Sequence, residues 1–207
     1  MVLRENDIIY ANNMFYHSSK NYELLRASRQ DGKLIQRVRS TVPEDYKIRL
    51  LLREPLLYTY QNEVYYKNPL KNVICVLRDG LKQYRRYELN IGMVDNENRD
   101  DYFNPKKNRN MINIAGVYET EDFLLFFYGY KEKAYWMLCS KQDWMCKAHN
   151  YEDCFTDDLS PSEEKFVCRS FTSVTQRHLI SIREDKEGDA NPTLLVAVSY
   201  THLTRPT

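Results

Sequence analysis

The chain has 207 residues, with 30 Lys and Arg against 29 Asp and Glu, for a formal net charge of +1. That balance argues against a dedicated nucleic-acid binder, which carries a basic surplus. Phe123–Tyr130, the longest strongly apolar run, falls far short of the roughly 20 residues that a helical bilayer span needs.

Hydrophobic residues make up 43% of the chain, which places it with packed globular proteins rather than disordered ones. Seventeen tyrosines, eight phenylalanines and two tryptophans lean it towards strands. At the start, charge arrives by Arg4 with no apolar stretch after it, so the chain as given shows no signal peptide.

In chain order, the first strand-like stretch is Asp7–Asn12. Tyr22–Ser28 and Lys33–Val38 then flank a turn at Arg29-Gln-Asp-Gly32. Leu56–Tyr60 and Glu63–Lys67 bend at Gln61-Asn62. Asn72–Leu77 and Lys82–Tyr87 flank Arg78-Asp-Gly80. Ile112–Tyr118 and Phe123–Tyr128 bend at Glu119–Asp122, and Ala134–Cys139 and Trp144–Lys147 flank Ser140–Asp143. Asp-Gly suits a hairpin because glycine reaches positive φ without strain and Asp tolerates it. The third pair lacks that glycine.

Taking Gly32, Gly80 and Asp143 as equivalent turn positions, the units recur with about four strands each, the pattern of propeller blades. Polar linkers over 40–45, 95–105 and 157–162 separate them. Beyond the third unit the reading is a short strand at 166–170, then over 173–187 either a helix with Ser173 as its N-cap, which is preferred, or a strand pair, and a last strand at 193–197. Only six glycines are present where average usage would give about twice as many. The 16 asparagines can serve some turns instead, since Asn also visits positive φ.

Several segments resemble a known family. Leu57-Tyr-Thr-Tyr-Gln-Asn-Glu-Val-Tyr-Tyr-Lys-Asn-Pro-Leu-Lys-Asn-Val-Ile-Cys-Val-Leu77, Tyr84–Gly92, Tyr118–Phe126 and Asp189–Val196 are similar, in order and spacing, to six-bladed β-propeller proteins of the Bacteroidales. Those proteins are TolB-like or NHL-like in shape and are mostly exported lipoproteins of unknown function. The resemblance runs from about Asp7 to Ala197. It implies an all-β fold of antiparallel four-stranded blades, with about three blades present in residues 1–197. It also implies upstream blades as partners, and a periplasmic or outer-membrane-anchored location. Met1 then reads as an internal start. Residues 198–207 resemble a translated sequencing adapter and are set aside from fold and site arguments. The family's usual Asp-Gly-Gly-Pro turn is replaced here by Cys154–Asp158.

The chemistry-bearing residues point to binding rather than catalysis. Glu119, Glu121 and Asp122 form an acidic bend. Paired carboxylates can act as acid and base only when both face one substrate, and consecutive bend residues are expected to splay into solvent. Cys139, Cys146, His149 and Cys154 lack the close Cys knuckle of a structural zinc site. Free cysteines serving as small half-buried hydrophobes are the expectation for all five, although Cys139 and Cys146 would sit on paired strands. No nucleophile elbow or phosphate loop occurs, and His17, His149 and His178 are isolated.

Lys82, Arg85 and Arg86 with Tyr84 and Tyr87, and the cluster Lys106, Lys107 and Arg109, mimic basic strips. Strand alternation would put Arg85 opposite Arg86, which leaves solvated faces. The expected ligand-facing set is Tyr128, Tyr130, Tyr135 and Trp136, with Glu119 and Asp122; other tyrosines, among them Tyr58, Tyr60, Tyr65 and Tyr66, fill inter-blade space. A glycan, a peptide or a protein is the expected partner, with no cofactor, metal or nucleic acid. The competing reading is a hydrolase or lyase that uses carboxylates or histidines at a central channel.

Overall fold

The computed structural model describes residues 1–11, 14–15, 22–39, 50–51, 57–68, 71–90, 112–151, 155–156, 165–166, 173–174, 178–183 and 193–198. The described elements are all strands. They begin with β1 (Val2–Leu3), β2 (Asp7–Ala11), β3 (Met14–Phe15), β4 (Tyr22–Ser28), β5 (Leu34–Arg39) and β6 (Leu50–Leu51). Next come β7 (Leu57–Tyr60), β8 (Glu63–Lys67), β9 (Val73–Arg78), β10 (Lys82–Glu88), β11 (Asn113–Glu119), β12 (Phe123–Tyr130), β13 (Lys133–Ser140) and β14 (Cys146–Asn150). The last are β15 (Phe155–Thr156), β16 (Lys165–Phe166), β17 (Ser173–Val174), β18 (His178–Arg183) and β19 (Thr193–Val198).

Three four-stranded sheets run in the orders β1-β2-β4-β5, β7-β8-β9-β10 and β11-β12-β13-β14. The described pairings are antiparallel. Burial falls away across each sheet towards β5, β10 and β14, so these strands form the solvated edge. β15 pairs with β16, β17-β18-β19 form a three-stranded sheet, and β3 pairs with β6.

Four sequence expectations change. The first blade has a fourth strand, β1, because Val2 and Leu3 pair with Ile9 and Ile8. Of the two readings of 173–187, the described residues Ser173–Val174 and His178–Arg183 take the strand pair and not the preferred helix, since β17 pairs with β18 and β18 with β19. Branched Ile180 and Ile182 favour such a ladder, and tertiary pairing overrides a weak capping signal. Trp144 belongs to a turn rather than a strand, because β14 begins at Cys146. The alternation at Arg85 and Arg86 is broken, because Arg85 pairs with Cys75 and Tyr87 with the next residue, Ile74, which makes Arg86 the extra residue of a bulge. The linkers at 40–45, 95–105 and 157–162, most of the 166–170 strand, and Val198's successors lie outside the described residues.

The chain divides into two compact units. One comprises Met1–Val117 with Tyr128–Glu132, the other Tyr118–Phe127 with Lys133–Thr207. In the first unit, one face of the first blade meets one face of the second. Val2, Ile9, Ala11 and Leu24 pack with Leu57, Val64, Tyr66, Leu77 and Leu81 in a single apolar core. Polar ties run beside it. Arg4 donates to the Leu77 carbonyl at 2.8 Å, and the Leu81 amide donates to Gln36 Oε1 at 3.1 Å. Asp7 is buried against Arg26 at 2.7 Å.

Turn chemistry explains the hairpins. Gln61 and Asn62 take φ of 48° and 63°, and Lys131 and Glu132 take 48° and 64°, the left-handed pair that a two-residue hairpin requires. Asn tolerates this conformation; Gln, Lys and Glu are held in it by the strands they join. Asp79 and Gly80 do the same between β9 and β10.

The β4–β5 and β13–β14 turns are copies of one another. Ser28-Arg-Gln-Asp-Gly-Lys33 aligns with Ser140-Lys-Gln-Asp-Trp-Met145. Gly32 and Trp144 each donate to the serine carbonyl at 3.0 Å, and each serine amide donates to the carbonyl of Lys33 or Met145. The amides of Gln30 and Gln142 donate to the serine hydroxyls, and those of Lys33 and Met145 to Asp31 and Asp143. The position equivalent to Gly32 is therefore Trp144, not Asp143.

Candidate functional site

In the second unit, the β13 strand brings Trp136 into a cluster with Tyr118, Phe127 and Tyr151, ring centroids 5.1 to 6.3 Å apart. Leu125 and Leu138 complete this core. Trp136 is buried there, and its indole supplies packing area that smaller side chains would not fill. Tyr135, its neighbour on β13, is half-buried.

Glu119 does not splay into solvent. It closes β11 fully buried, and Lys141 Nζ donates to its Oε1 at 2.6 Å and to the Thr120 carbonyl at 2.6 Å. The Lys141 amide also donates to the Asp122 carbonyl at 2.7 Å. The acidic bend is thus latched to the β13–β14 turn, with Glu121 and Asp122 on the exposed side. A buried carboxylate needs such a partner, because desolvating a lone charge is costly.

Cys139 and Cys146 form a disulfide between directly opposed residues of β13 and β14, Cα atoms 4.0 Å apart. This corrects the expectation of five free thiols and removes two sulfurs from the Cys139, Cys146, His149, Cys154 set as thiolate ligands. Among the described residues no group of His, Cys, Asp and Glu could hold a metal ion. Cys154 and Cys168 lie outside those residues, as do His17 and the cluster at 106–109.

The first unit holds Tyr128, which is buried, and Tyr130, which is half-buried with the Lys131 ammonium 5.1 Å from its ring centre. Glu119, Trp136 and the backbone of Asp122 thus belong to the latch and aromatic core of one unit, whereas Tyr128 and Tyr130 belong to the other. Tyr58, Tyr60 and Tyr65 pack on one another as expected for filling tyrosines; Tyr58 and Tyr65 are stacked at 5.2 Å.

A buried polar group that composition did not reveal lies at the seam of the first two blades. A bulge in β4, where Tyr22 pairs with Arg39 and Leu24 with Val38, leaves Glu23 as the extra residue. It is buried, and Gln83 Nε2 donates to it at 3.1 Å. Tyr66, Cys75 and Arg85 are cross-strand neighbours on β8, β9 and β10. Burial, with Glu23 adding to it, pushes the Tyr66 phenol well above its ordinary range. Burial also raises the Cys75 thiol, so it is a poor nucleophile. Beside them Lys67 is buried and donates to the carbonyls of Asn68 and Lys71, and burial pushes its ammonium down to about 7. The sequence signal available was a lysine directly after the apolar run Val64-Tyr-Tyr66.

Three antiparallel four-stranded sheets, each stepping from a buried strand to a solvated edge, define a β-propeller protein. Residues 1–180 match a family described as a 6-bladed beta-propeller, and the chain belongs to that family. It is also similar in fold to a crystal structure of a Bacteroides fragilis protein provisionally assigned as exported. The two share 12% identity with a TM-score of 0.55, over 85% of this chain and 51% of that one. The chain therefore spans about half the length of that protein. No curated protein matches it.

Proposed function

We propose that this chain is part of an exported six-bladed propeller that works as a binding or scaffold module rather than as a catalyst. The observation that carries this reading is the use made of the buried carboxylates. Asp7 holds Arg26, Glu23 accepts from Gln83, and Glu119 holds Lys141, so each ties one strand or turn to another. A general acid or base needs a carboxyl that can meet substrate with a tuned proton. The half-buried rings of Tyr130 in the first unit and of Tyr135 in the second are each proposed to face ligand within their own unit and are suited to stacking on a glycan or peptide, Tyr130 backed by Tyr128 and Tyr135 by Trp136, Glu119 and Asp122. The provisional assignment of the Bacteroides fragilis protein as exported supports a periplasmic or surface location, and the family resemblance supports a lipoprotein anchor on a TolB-like propeller.

Further blades are the proposed partners of the first blade. On the face opposite its core, Leu3, Ile8, Ala27 and Leu34 form one apolar row across all four strands. Tyr10 stands beside it, and Leu3, Tyr10 and Leu34 are 53 to 55% exposed. A solvated sheet face is ordinarily polar, whereas an inter-blade face is apolar. The test is twofold. The isolated 207-residue chain is expected to self-associate in size-exclusion chromatography, and a sharp monomeric peak with a cooperative melt would count against further blades. The full-length protein is then titrated with soluble glycan oligomers and with peptides. Binding that falls at least fivefold in Tyr130→Ala and Tyr135→Ala supports the module. Glycan cleavage abolished by Glu121→Gln or Asp122→Asn would establish an enzyme instead.

A further inference from the structure

We propose that the β13–β14 turn is a docking prong, which inserts Trp144 and Met145 into an apolar pocket on a protein partner. The proposal is independent of the ligand surface suggested above. It starts from the two copies of one turn. Both close with the same four kinds of hydrogen bond, through a serine, an aspartate and two main-chain contacts. The first copy places Gly32 at φ of 70°, where glycine is at ease. The second places Trp144 at φ of 58°. A bulky aromatic in the left-handed region is costlier than the polar residues that take it in the other hairpins, and residues held in such strained conformations cluster at binding and active sites. Here Gly-Lys is shown by the first blade to complete the same turn, so folding does not require Trp-Met.

The two side chains are also presented rather than buried. Trp144 is 56% exposed and Met145 64% exposed, adjacent on the tip. The tip itself is held from three sides. The Cys139–Cys146 disulfide joins the strands at its base, the Lys141–Glu119 pair anchors its near end, and the Asp143 side chain fixes Met145. A tip whose backbone is already fixed loses little main-chain freedom on binding; Trp is a favoured hot-spot residue, and Met is enriched at interfaces.

Its surroundings favour a protein over a membrane. Gln142, Asp143 and Lys147 form an exposed polar rim around the apolar pair. The Met145 amide, then the Ser140 hydroxyl, hold the Asp143 carboxyl below its ordinary range, so it stays ionised. The fixed Asp143 anion and the Lys147 ammonium give the rim charges of both signs, which suits a protein surface better than a uniformly anionic lipid one. A hairpin tip a single strand pair wide fits a pocket rather than a flat face.

The test uses the full-length protein in its own host. A photo-crosslinking benzoyl-phenylalanine replaces Gln142, both in the native background and with W144G/M145K, which copies the first blade's Gly-Lys. A control probe replaces Gln30 in the equivalent first-blade turn. The expected result is a discrete protein adduct from position 142 that is at least tenfold weaker in W144G/M145K and absent from position 30. The identified partner, once purified, should shift the indole emission of the native chain to the blue and bind W144G/M145K at least tenfold more weakly. W144G/M145K should melt at or above the native temperature, so the loss is not unfolding. If it melts lower, Trp144→Asn, which tolerates the same φ, takes its place. Equal adducts with and without the apolar pair, or no discrete adduct, would overturn the proposal. So would a blue shift produced instead by phosphatidylethanolamine–phosphatidylglycerol vesicles or by soluble glycan oligomers, which would make the tip a membrane or carbohydrate surface.

Discussion

Lys67 offers the sharpest test of how the first two blades are held. Its ammonium is buried at the end of β8 and satisfied by two main-chain carbonyls, those of Asn68 and Lys71. Burial lowers its pKa from 10.5 to about 7. In the unfolded chain the lysine regains its ordinary value, so between pH 7 and 10.5 the unfolded state binds more protons. Stability must then rise with pH across that window, level off above it, and be at its lowest below pH 7, where both states are charged. With those two values, linkage gives a gain of about 2 kcal/mol between pH 7 and pH 9.

Lys67→Met keeps the length of the stem and removes the titration. Urea unfolding of native and variant protein at pH 7, 8 and 9 reads the difference directly, and other titrating groups cancel in it. The native protein should gain on the variant by about 1 kcal/mol per pH unit across this range. At pH 7 the variant should be close to the native protein, because the relief of a buried charge offsets two lost hydrogen bonds worth about 1 kcal/mol each. A difference that stays constant from pH 7 to pH 9 would refute the reasoning, since Lys67 would then be equally protonated in both states.

Three further outcomes follow from the same geometry. Lys141→Met removes the cation that faces the buried Glu119 carboxylate and should cost about 3 to 5 kcal/mol by denaturant titration, while adding Glu119→Gln should recover a large part of that. Gly80→Ala should lower stability by roughly 1 kcal/mol, because Gly80 has a φ of 85° and an added methyl would push aside the end of the Gln36 side chain, which accepts from the Leu81 amide; a thermal melt unchanged within error would contradict it. Cys146→Ser should cost roughly 2 kcal/mol from the short loop that the disulfide closes, and dithiothreitol should lower the native melting temperature to that of the variant.

Much of the architecture was legible because local rules and tertiary pairing agree. Strand pairs around Asp31-Gly32, Asp79-Gly80 and Gln61-Asn62 carry their own turn chemistry, and the repeated units followed from their spacing. Where local signal and pairing diverge, the sequence misled. Ser173 has the character of a helix cap, yet β18 finds a ladder partner in β19, and no local rule contains that partner. Val2 and Leu3 are too short a stretch to read as a strand until β2 lies beside them.

The candidate site divides in the same way. Composition identified Glu119, Asp122, Tyr128, Tyr130, Tyr135 and Trp136 as the chemically richest residues. Whether each is structural or presented depends on burial, a property of the packed chain. Glu119 was expected outside and is inside, because a lysine 22 residues away reaches it. Glu23 turns inward through a bulge that alternation does not foresee, and Cys139 meets Cys146 because the register of β13 and β14 puts them opposite.

What the sequence determined by itself was therefore the strand content, the hairpin positions and the order of the blades. Those rest on turn residues and propensities that act over a few neighbours. Only the tertiary structure decided which polar groups are buried in pairs and which apolar groups stand exposed on turns. Desolvation and register are set by contacts between residues far apart in the chain, and no window along the sequence holds both partners.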